Sequence, residues 1–207
     1  MKQYLIFLIG ALCLTGCKSY PPEINNGRFV YPKYQISFAV PPPDLWQSSK
    51  KLPDRFIPKV DERRSMIGAF NKAVFLNDKQ DSAIALEVSK MFINAAKLPP
   101  QQIKVQLEKS FLSFVKNMET SLFFSDYKYD FSVPYINKTP LLLSTETFNM
   151  NSCGKTYRCE IHTYIYIIND DDTCKLRFIL WSAPETYSKN KAVLNQLLGT
   201  LRRELGN

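Results

Sequence analysis

The chain has 207 residues, which is within the range of a single domain with a full-sized core. Hydrophobic residues make up 45% of it and charged residues 22%, as in ordinary globular proteins, and this composition excludes wholesale disorder. The net charge of +8 would favour an anionic partner. Its cations are scattered along the chain, however, and no nucleic-acid recognition motif is visible, so we predict no nucleic-acid binding.

The N-terminal residues have the order of a secretion signal. Lys2 supplies the only charge, an apolar run extends from Tyr4 to Leu14, and small residues follow directly. A helix that spans a bilayer needs roughly 20 apolar residues, so this run is too short to be a stable transmembrane anchor. Two interpretations give no role to Cys17, the cysteine that follows Gly16. The segment is then either a plain signal peptide, in which Cys17 is incidental, or an uncleaved N-terminal anchor.

The signal ends on Leu14-Thr15-Gly16-Cys17, which resembles the lipobox of bacterial lipoproteins. The resemblance covers only the first 17 residues. It implies that Cys17 is the lipid attachment site, that the chain is cut before it, and that acyl chains such as palmitate hold it in a membrane. Several chains hold a protein where one would not, since each buried methylene contributes about 0.8 kcal/mol. Lys18 stands where an aspartate would signal inner-membrane retention, which favours the outer membrane.

Removal of the signal peptide, residues 1–16, leaves a mature chain of 191 residues with 26 basic and 19 acidic side chains. We predict a lipidated, proline-rich tether over residues 17–31 and a single α+β domain over residues 32–207. Proline donates no hydrogen bond to a sheet and keeps its predecessor extended, and Pro21-Pro22 lies in this segment. The tether would hold the domain a short distance from the membrane.

The predicted domain begins with residues 34–40, whose alternating pattern indicates a strand that stops at Pro41-Pro42-Pro43. Trp46 follows in a loop, where we expect it to plug the core. Residues 54–71 carry no readable pattern.

A β-hairpin is predicted next, because apolar runs at 73–76 and 84–88 flank a polar turn. Pro99-Pro100 then begins a predicted helix, since proline is tolerated in a first turn. Apolar residues recur along this helix at intervals of three and four and form one stripe, which we expect to pack on a sheet. The stripe consists of Ile103, Leu107, Phe111, Phe114, Val115, Met118 and Leu122.

Three extended runs, 143–150, 157–168 and 174–181, are rich in β-branched and aromatic residues and predict an antiparallel meander. A final helix is predicted after Pro184. It would run through Leu205, with Arg202-Arg203 near its end, where cations complement the helix dipole.

The order of these elements resembles the PsbP-like fold, and DcrB-type bacterial lipoproteins are similar. Phe38-Ala39-Val40-Pro41 with Trp46, and Trp181-Ser182-Ala183-Pro184 before the last helix, carry the resemblance. It implies an α+β domain in which an antiparallel β-sheet packs with helices as an α/β sandwich, with a role in binding or assembly. Residues 54–71 depart from the pattern, and no functional residue is carried over because the family is united by shape.

Three cysteines remain in the exported domain, and their pairing is open. Cys153 and Cys159 bracket a hairpin connection and are candidates for a disulfide, which would leave Cys174 buried or free. The alternative is that no bridge forms. A zinc site built from the three thiols and His162 matches no standard spacing, so no metal site is predicted.

The sequence indicates no reaction. A nucleophile needs a base beside it, yet the only histidine, His162, lies inside a strand, and neither a Gly-x-Ser-x-Gly elbow nor a Gly-rich phosphate loop is present. Asp170-Asp171-Asp172 lacks the spacing of a calcium loop and is expected to be a solvated turn. His162, Tyr164 and Tyr166 would share one strand face and form a candidate ligand surface. We predict no catalytic residue and no cofactor.

These observations predict a non-enzymatic lipoprotein that is anchored in the outer membrane, faces the periplasm and serves the cell envelope as a binding or assembly factor. Its expected partners are the membrane, through the N-terminal lipid, and an envelope protein. One alternative is an envelope hydrolase of wall, lipid or glycan, which requires His162 or a carboxylate pair at a pocket. A second is a surface-exposed lipoprotein that contacts a host.

Overall fold

A computed structural model describes residues 21–57, 71–91, 98–169 and 172–204. They form two antiparallel sheets and two helices, which confirms the predicted α+β class. The predicted signal and lipobox lie outside these residues. Within the described ranges, neither helix has the length and apolar character that a membrane crossing requires.

The smaller sheet has four strands in the order β1-β2-β3-β11. Its strands are β1 (Glu23–Asn25), β2 (Arg28–Tyr31), β3 (Ile36–Ala39) and β11 (Arg202–Arg203). β3 confirms the strand predicted before the three prolines. Trp46, which follows them, is only 3% exposed and fills the core as predicted.

The domain begins earlier than predicted, because residues 23–31 form a hairpin and not a tether. Asn26 and Gly27 have φ angles of +48° and +72°, the left-handed conformation that a two-residue hairpin turn needs. Phe29 and Tyr31 are buried, and Phe29 stacks on Phe38 of β3 with ring centroids 4.9 Å apart. Burial of these two aromatic side chains holds the segment against the domain.

The larger sheet has seven strands in the order β4-β5-β6-β10-β9-β8-β7. Its strands are β4 (Gln47–Ser49), β5 (Asn71–Asn77), β6 (Ser82–Met91), β7 (Phe124–Phe131), β8 (Leu141–Ser152), β9 (Lys155–Asn169) and β10 (Asp172–Ser182). The β5–β6 hairpin and the β8–β9–β10 meander confirm the predictions. β7 was not predicted, because exposed polar residues interrupt its sequence.

Helix α1 (Pro100–Glu119) begins and packs as predicted. Its buried stripe lies on the larger sheet, where Phe111 stacks on Phe131 of β7 with centroids 4.2 Å apart. The predicted last member of the stripe, Leu122, lies beyond the helix and is 94% exposed.

Helix α2 (Tyr187–Leu198) is shorter than predicted. Arg202 and Arg203 do not belong to it; they form β11 and pair with β3. The guanidinium of Arg203 donates to the carbonyl oxygens of Ile167 and Ile168 at 3.1 and 2.8 Å. These bonds tie β11 to β9.

Each face of the larger sheet is covered. One face packs against α2 and the smaller sheet, around Phe178, Leu180 and Leu194. The opposite face packs against α1 and carries two separate apolar clusters, one around Phe148 and Trp181 and one around Leu107 and Ile165. The gap between these two clusters defines the candidate site.

Candidate functional site

A belt of polar side chains crosses the larger sheet beneath α1, in the gap between the two apolar clusters. It has six members: Glu87, Ser144, Glu146, Thr163, Lys175 and Arg177. Strand register places it, because Arg177 of β10 lies opposite Glu87 of β6 and Thr163 of β9, and Thr163 lies opposite Ser144 of β8. We call this group the polar belt.

Strand periodicity directs the belt toward α1. Lys175 and Arg177 are two positions apart, so both side chains lie on the face opposite Leu176 and Phe178, which belong to the other core. Glu87 likewise follows the buried Ala83 and Ala85 on the α1 face of β6. Glu87 is buried, whereas Lys175 and Arg177 are half-buried at the edge of the interior.

Glu87 and Arg177 form a direct ion pair, with Arg177 Nη2 donating to Glu87 Oε2. Their side chains are 7% and 18% exposed. Both charges are largely removed from water, so the ion pair compensates part of their desolvation. The ion pair therefore links β6 to β10, and the Glu87 carboxylate is already bound by Arg177.

Glu146 is 3% exposed, and its environment differs from that of Glu87. Ser144 Oγ donates to its Oε1 at 2.7 Å, and the Tyr127 hydroxyl donates to its Oε2 at 3.3 Å. Burial raises the pKa of Glu146, and these hydrogen bonds and the nearby Arg177 only partly oppose that effect. The carboxyl is consequently less acidic than one in water.

Lys175 has no ion-pair or hydrogen-bond partner for its Nζ among the described residues. Burial lowers its pKa, as does the neighbouring Arg177, while Glu87 and Glu146 act in the opposite direction. Lys175 is half-buried, so its ammonium group retains access to water. It is available to an acceptor that arrives from outside.

A cavity of about 190 Å³ lies between α1 and the belt. Leu107, Phe111 and Phe114 of α1 form an apolar wall, and Glu146, Lys175 and Arg177 are among the polar residues of the opposite wall. Typical sites for drug-sized ligands have about 300–1,000 Å³, so this cavity suits a small molecule or one end of a longer one. Its two walls match a molecule that has an apolar part and a polar head.

The predicted ligand surface on β9 is largely covered, although His162 and Tyr164 remain partly exposed. His162, Tyr164 and Tyr166 do share a face, but it is the face covered by α2 and the smaller sheet. Tyr166 is fully buried and its hydroxyl donates to the carbonyl oxygen of Tyr34, while Tyr164 packs edge-on against Phe178. These side chains stabilise the core and do not line the cavity beneath α1.

His162 instead belongs to a cluster around the buried Glu160. Its Nε2 lies 2.7 Å from Glu160 Oε1, the Tyr187 hydroxyl donates to Glu160 Oε2, and Lys191 Nζ lies 3.0 Å from that oxygen. Burial opposes ionisation of Glu160, but hydrogen bonds from these three residues outweigh it and lower its pKa to about 2. The cluster attaches α2 to β9.

The disulfide considered for Cys153 and Cys159 is absent, and all three cysteines in the described ranges are free. Cys153 is exposed in the turn that joins β8 to β9, whereas Cys159 lies opposite Phe148 within the core. The two side chains are therefore separated along the hairpin. Cys174 is buried, and its thiol is free. It lies opposite Tyr166 on the neighbouring strand.

In the described part of the chain, no three His, Cys, Asp or Glu residues are grouped so as to hold a metal ion. Of the predicted acidic turn, residues 170–171 lie outside that part, and Asp172 accepts from Lys90 Nζ at 2.7 Å. The polar belt was missed by sequence reasoning. The sequence does carry a signal for the polar belt, because charged residues occur at alternate positions inside otherwise apolar strands.

Neither protein-family models nor curated proteins give a match to this chain. Solved structures give partial likenesses. LpqN of Mycobacterium tuberculosis, described as involved in cell envelope biogenesis, is 12% identical with a TM-score of 0.47, over 80% of this chain and 82% of LpqN. CyanoP, the PsbP protein of Synechocystis sp. PCC 6803, is 9% identical with a TM-score of 0.45, over 91% and 95%.

The Ran-binding protein Mog1p of Saccharomyces cerevisiae is 10% identical, with a TM-score of 0.39, over 86% of this chain and 95% of Mog1p. All three TM-scores are below 0.5, so these likenesses transfer neither a function nor a binding residue to this chain. The function must be argued from the chain's own residues.

Proposed function

We propose that the protein is a lipid-anchored, non-enzymatic binding factor of the cell envelope, held at the outer membrane with its domain in the periplasm. The anchor is the lipid on Cys17, supported by the resemblance of Leu14-Thr15-Gly16-Cys17 to a lipobox. The binding site is the cavity beneath α1. The observation that carries this proposal is the partnerless ammonium of Lys175, which lines a half-apolar cavity.

The ligand we propose is a small anionic amphiphile. Its head accepts a hydrogen bond from Lys175, and its apolar part lies against Phe111 and Phe114. The raised pKa of Glu146 lessens the repulsion that an anionic head would otherwise meet. Glu87 does not compete with the ligand for Lys175, because Glu87 is held by Arg177.

The binding test uses octanoate as the probe and 1-octanol as its uncharged counterpart, measured by calorimetric titration. A charge-assisted hydrogen bond contributes about 1.5–3 kcal/mol, so octanoate should bind about tenfold more tightly or better. Lys175→Met should remove this preference. Lys116→Met, on the exposed side of α1, is the matched control. Equal octanoate affinity of the wild-type chain and Lys175→Met, or no binding by either, contradicts the proposal.

Anchoring is tested separately by Cys17→Ser, with Cys13→Ser in the signal peptide as the control. Cys17→Ser should abolish lipid addition and normal processing, as judged by membrane fractionation and the mass of the N-terminal peptide. Cys13→Ser should change neither. An unchanged mature N-terminus and unchanged tethering in Cys17→Ser refute the anchor. An envelope protein is the partner we expect in assembly, and crosslinking in cells should capture it with the wild-type chain.

A hydrolase is the second candidate, favoured by one contact. Ser144 Oγ donates to Glu146 at the cavity wall, and a hydroxyl beside a carboxylate is a nucleophile next to a base. His162 does not contribute, because it lies on the other sheet face. Turnover of a short-chain p-nitrophenyl ester that Ser144→Ala abolishes and Glu160→Gln preserves would support this candidate over simple binding.

A further inference from the structure

A second cavity lies where the described chain begins, between the two sheets. It has a volume of about 310 Å³, and its walls come from β1 and β2 of the smaller sheet and from β4, β5 and the residue after β4 in the larger one. Ile24, Phe29, Ala73 and Val74 supply apolar surface. The site shares no residue with the cavity beneath α1.

Two lysines give this cavity a basic rim. Lys50 and Lys72 both line it and are exposed, and within the described ranges neither forms an ion pair. Lys51 is also exposed beside them, with its Nζ 3.8 Å from Asp54. Glu23 is the one acidic residue among the described residues that line the cavity, so together with Lys50 and Lys72 these residues carry a net positive charge.

The position of this cavity relative to the anchor is limited by chain length. Pro22 lines the cavity, and it lies only five positions along the chain from Cys17. A fully extended chain spans at most about 3.6 Å per residue, so Pro22 lies within about 18 Å of the lipidated residue. If Cys17 holds the chain in a membrane, this basic rim is within reach of the lipid headgroups.

We propose that the cavity seats the headgroup of an anionic phospholipid of the membrane that holds the protein. The lipid phosphate lies between Lys50 and Lys72, and the glycerol region contacts Ile24 and Phe29. Opposite charge supplies the attraction, since basic residues near an anionic surface are stabilised by its negative potential. The proposal rests on the proposed anchor for its location, and the site fixes which side of the domain faces the bilayer.

The test uses the mature chain, residues 17–207, carrying Cys17→Ser so that lipid attachment does not contribute. Vesicles of phosphatidylcholine alone are compared with vesicles that also contain phosphatidylglycerol, by co-sedimentation in low salt. The chain should bind the anionic vesicles selectively and lose binding as salt rises, because salt screens exposed charges.

Charge-neutral variants locate the contact. Lys50→Gln with Lys72→Gln should lower partitioning about 25-fold, at about fivefold for each lysine near the surface. Lys109→Gln with Lys116→Gln makes the same change of charge on the exposed side of α1 and should have a much smaller effect. Glu23→Gln should strengthen binding, since it removes a like charge from the site.

Equal losses in the two lysine pairs would overturn the proposal, because binding would then follow net charge alone. Equal binding to neutral and anionic vesicles would also overturn it. Each variant's circular dichroism is compared with wild type to establish that the fold is intact. Because Cys17 carries no lipid here, these outcomes are independent of whether the natural chain is anchored.

Discussion

Arg177 of β10 contacts the carboxylate of Glu87 directly across the strand pair, within a sheet face whose neighbouring rows are apolar. The ion pair belongs to the polar belt and separates two hydrophobic clusters. A buried ion pair is weak evidence of stability by itself, since desolvation offsets the attraction between the charges. The effects of replacing Glu87 and Arg177 on the free energy of unfolding should nevertheless be strongly coupled.

Arg177→Met should destabilise the domain strongly. It removes the Arg177 guanidinium from the largely buried Glu87 carboxylate, and loss of one partner of a buried pair costs about 3–5 kcal/mol. Urea unfolding followed by circular dichroism measures the free energy of unfolding. The double variant Glu87→Leu with Arg177→Met should recover most of the loss. A double variant as unstable as the single one would show that Arg177 acts by packing and not by charge.

Glu160 should make the stability of the domain depend on pH. Its pKa is about 2 in the folded chain against an ordinary 4.5, so the carboxylate stabilises the fold above pH 4.5, and this contribution is lost as the pH falls toward 2. We expect about 2 kcal/mol, less than the full shift implies, because the partner Lys191 is partly exposed. Urea unfolding at a series of pH values measures it.

Glu160→Gln should remove this part of the pH dependence, whereas Glu185→Gln, on the exposed surface nearby, should retain it. Parallel pH profiles for wild type and Glu160→Gln would show that the cluster with His162 and Tyr187 does not hold α2 on the sheet.

Sequence periodicity could predict the meander, the hairpin and α1 because each depends on neighbours within one element. The polar belt depends on which helix covers which face of the sheet, and that is decided by residues far apart in the chain. Lys175 therefore resembled an ordinary solvated strand residue. The N-terminal hairpin had a local signal, Asn26-Gly27, but the surrounding prolines favoured a tether.

Thiol chemistry should distinguish the three cysteines of the domain. Cys153 is exposed, whereas burial raises the pKa of Cys174 to about 12 and that of Cys159 well above its ordinary value. Since the thiolate is the reactive form, a maleimide should label one thiol per folded mature chain when Cys17 is lipidated or replaced by serine. Mass spectrometry counts the labels, and Cys153→Ser should abolish them. A wild-type chain that takes no label until it is reduced would instead indicate a disulfide.

Phe29→Ala should show that the N-terminal hairpin belongs to the folded domain. Phe29 is 3% exposed and stacks on Phe38, and removal of a buried phenylalanine side chain costs about 3–5 kcal/mol. Ile24→Ala is the control in the same hairpin, since Ile24 is 47% exposed and should change stability by about 0.5 kcal/mol or less. Thermal and urea unfolding of the mature chain measure both. If Phe29→Ala were as mild as Ile24→Ala, residues 23–31 would act only as a spacer, and the cavity lined by Lys50 and Lys72 would lose one of its walls.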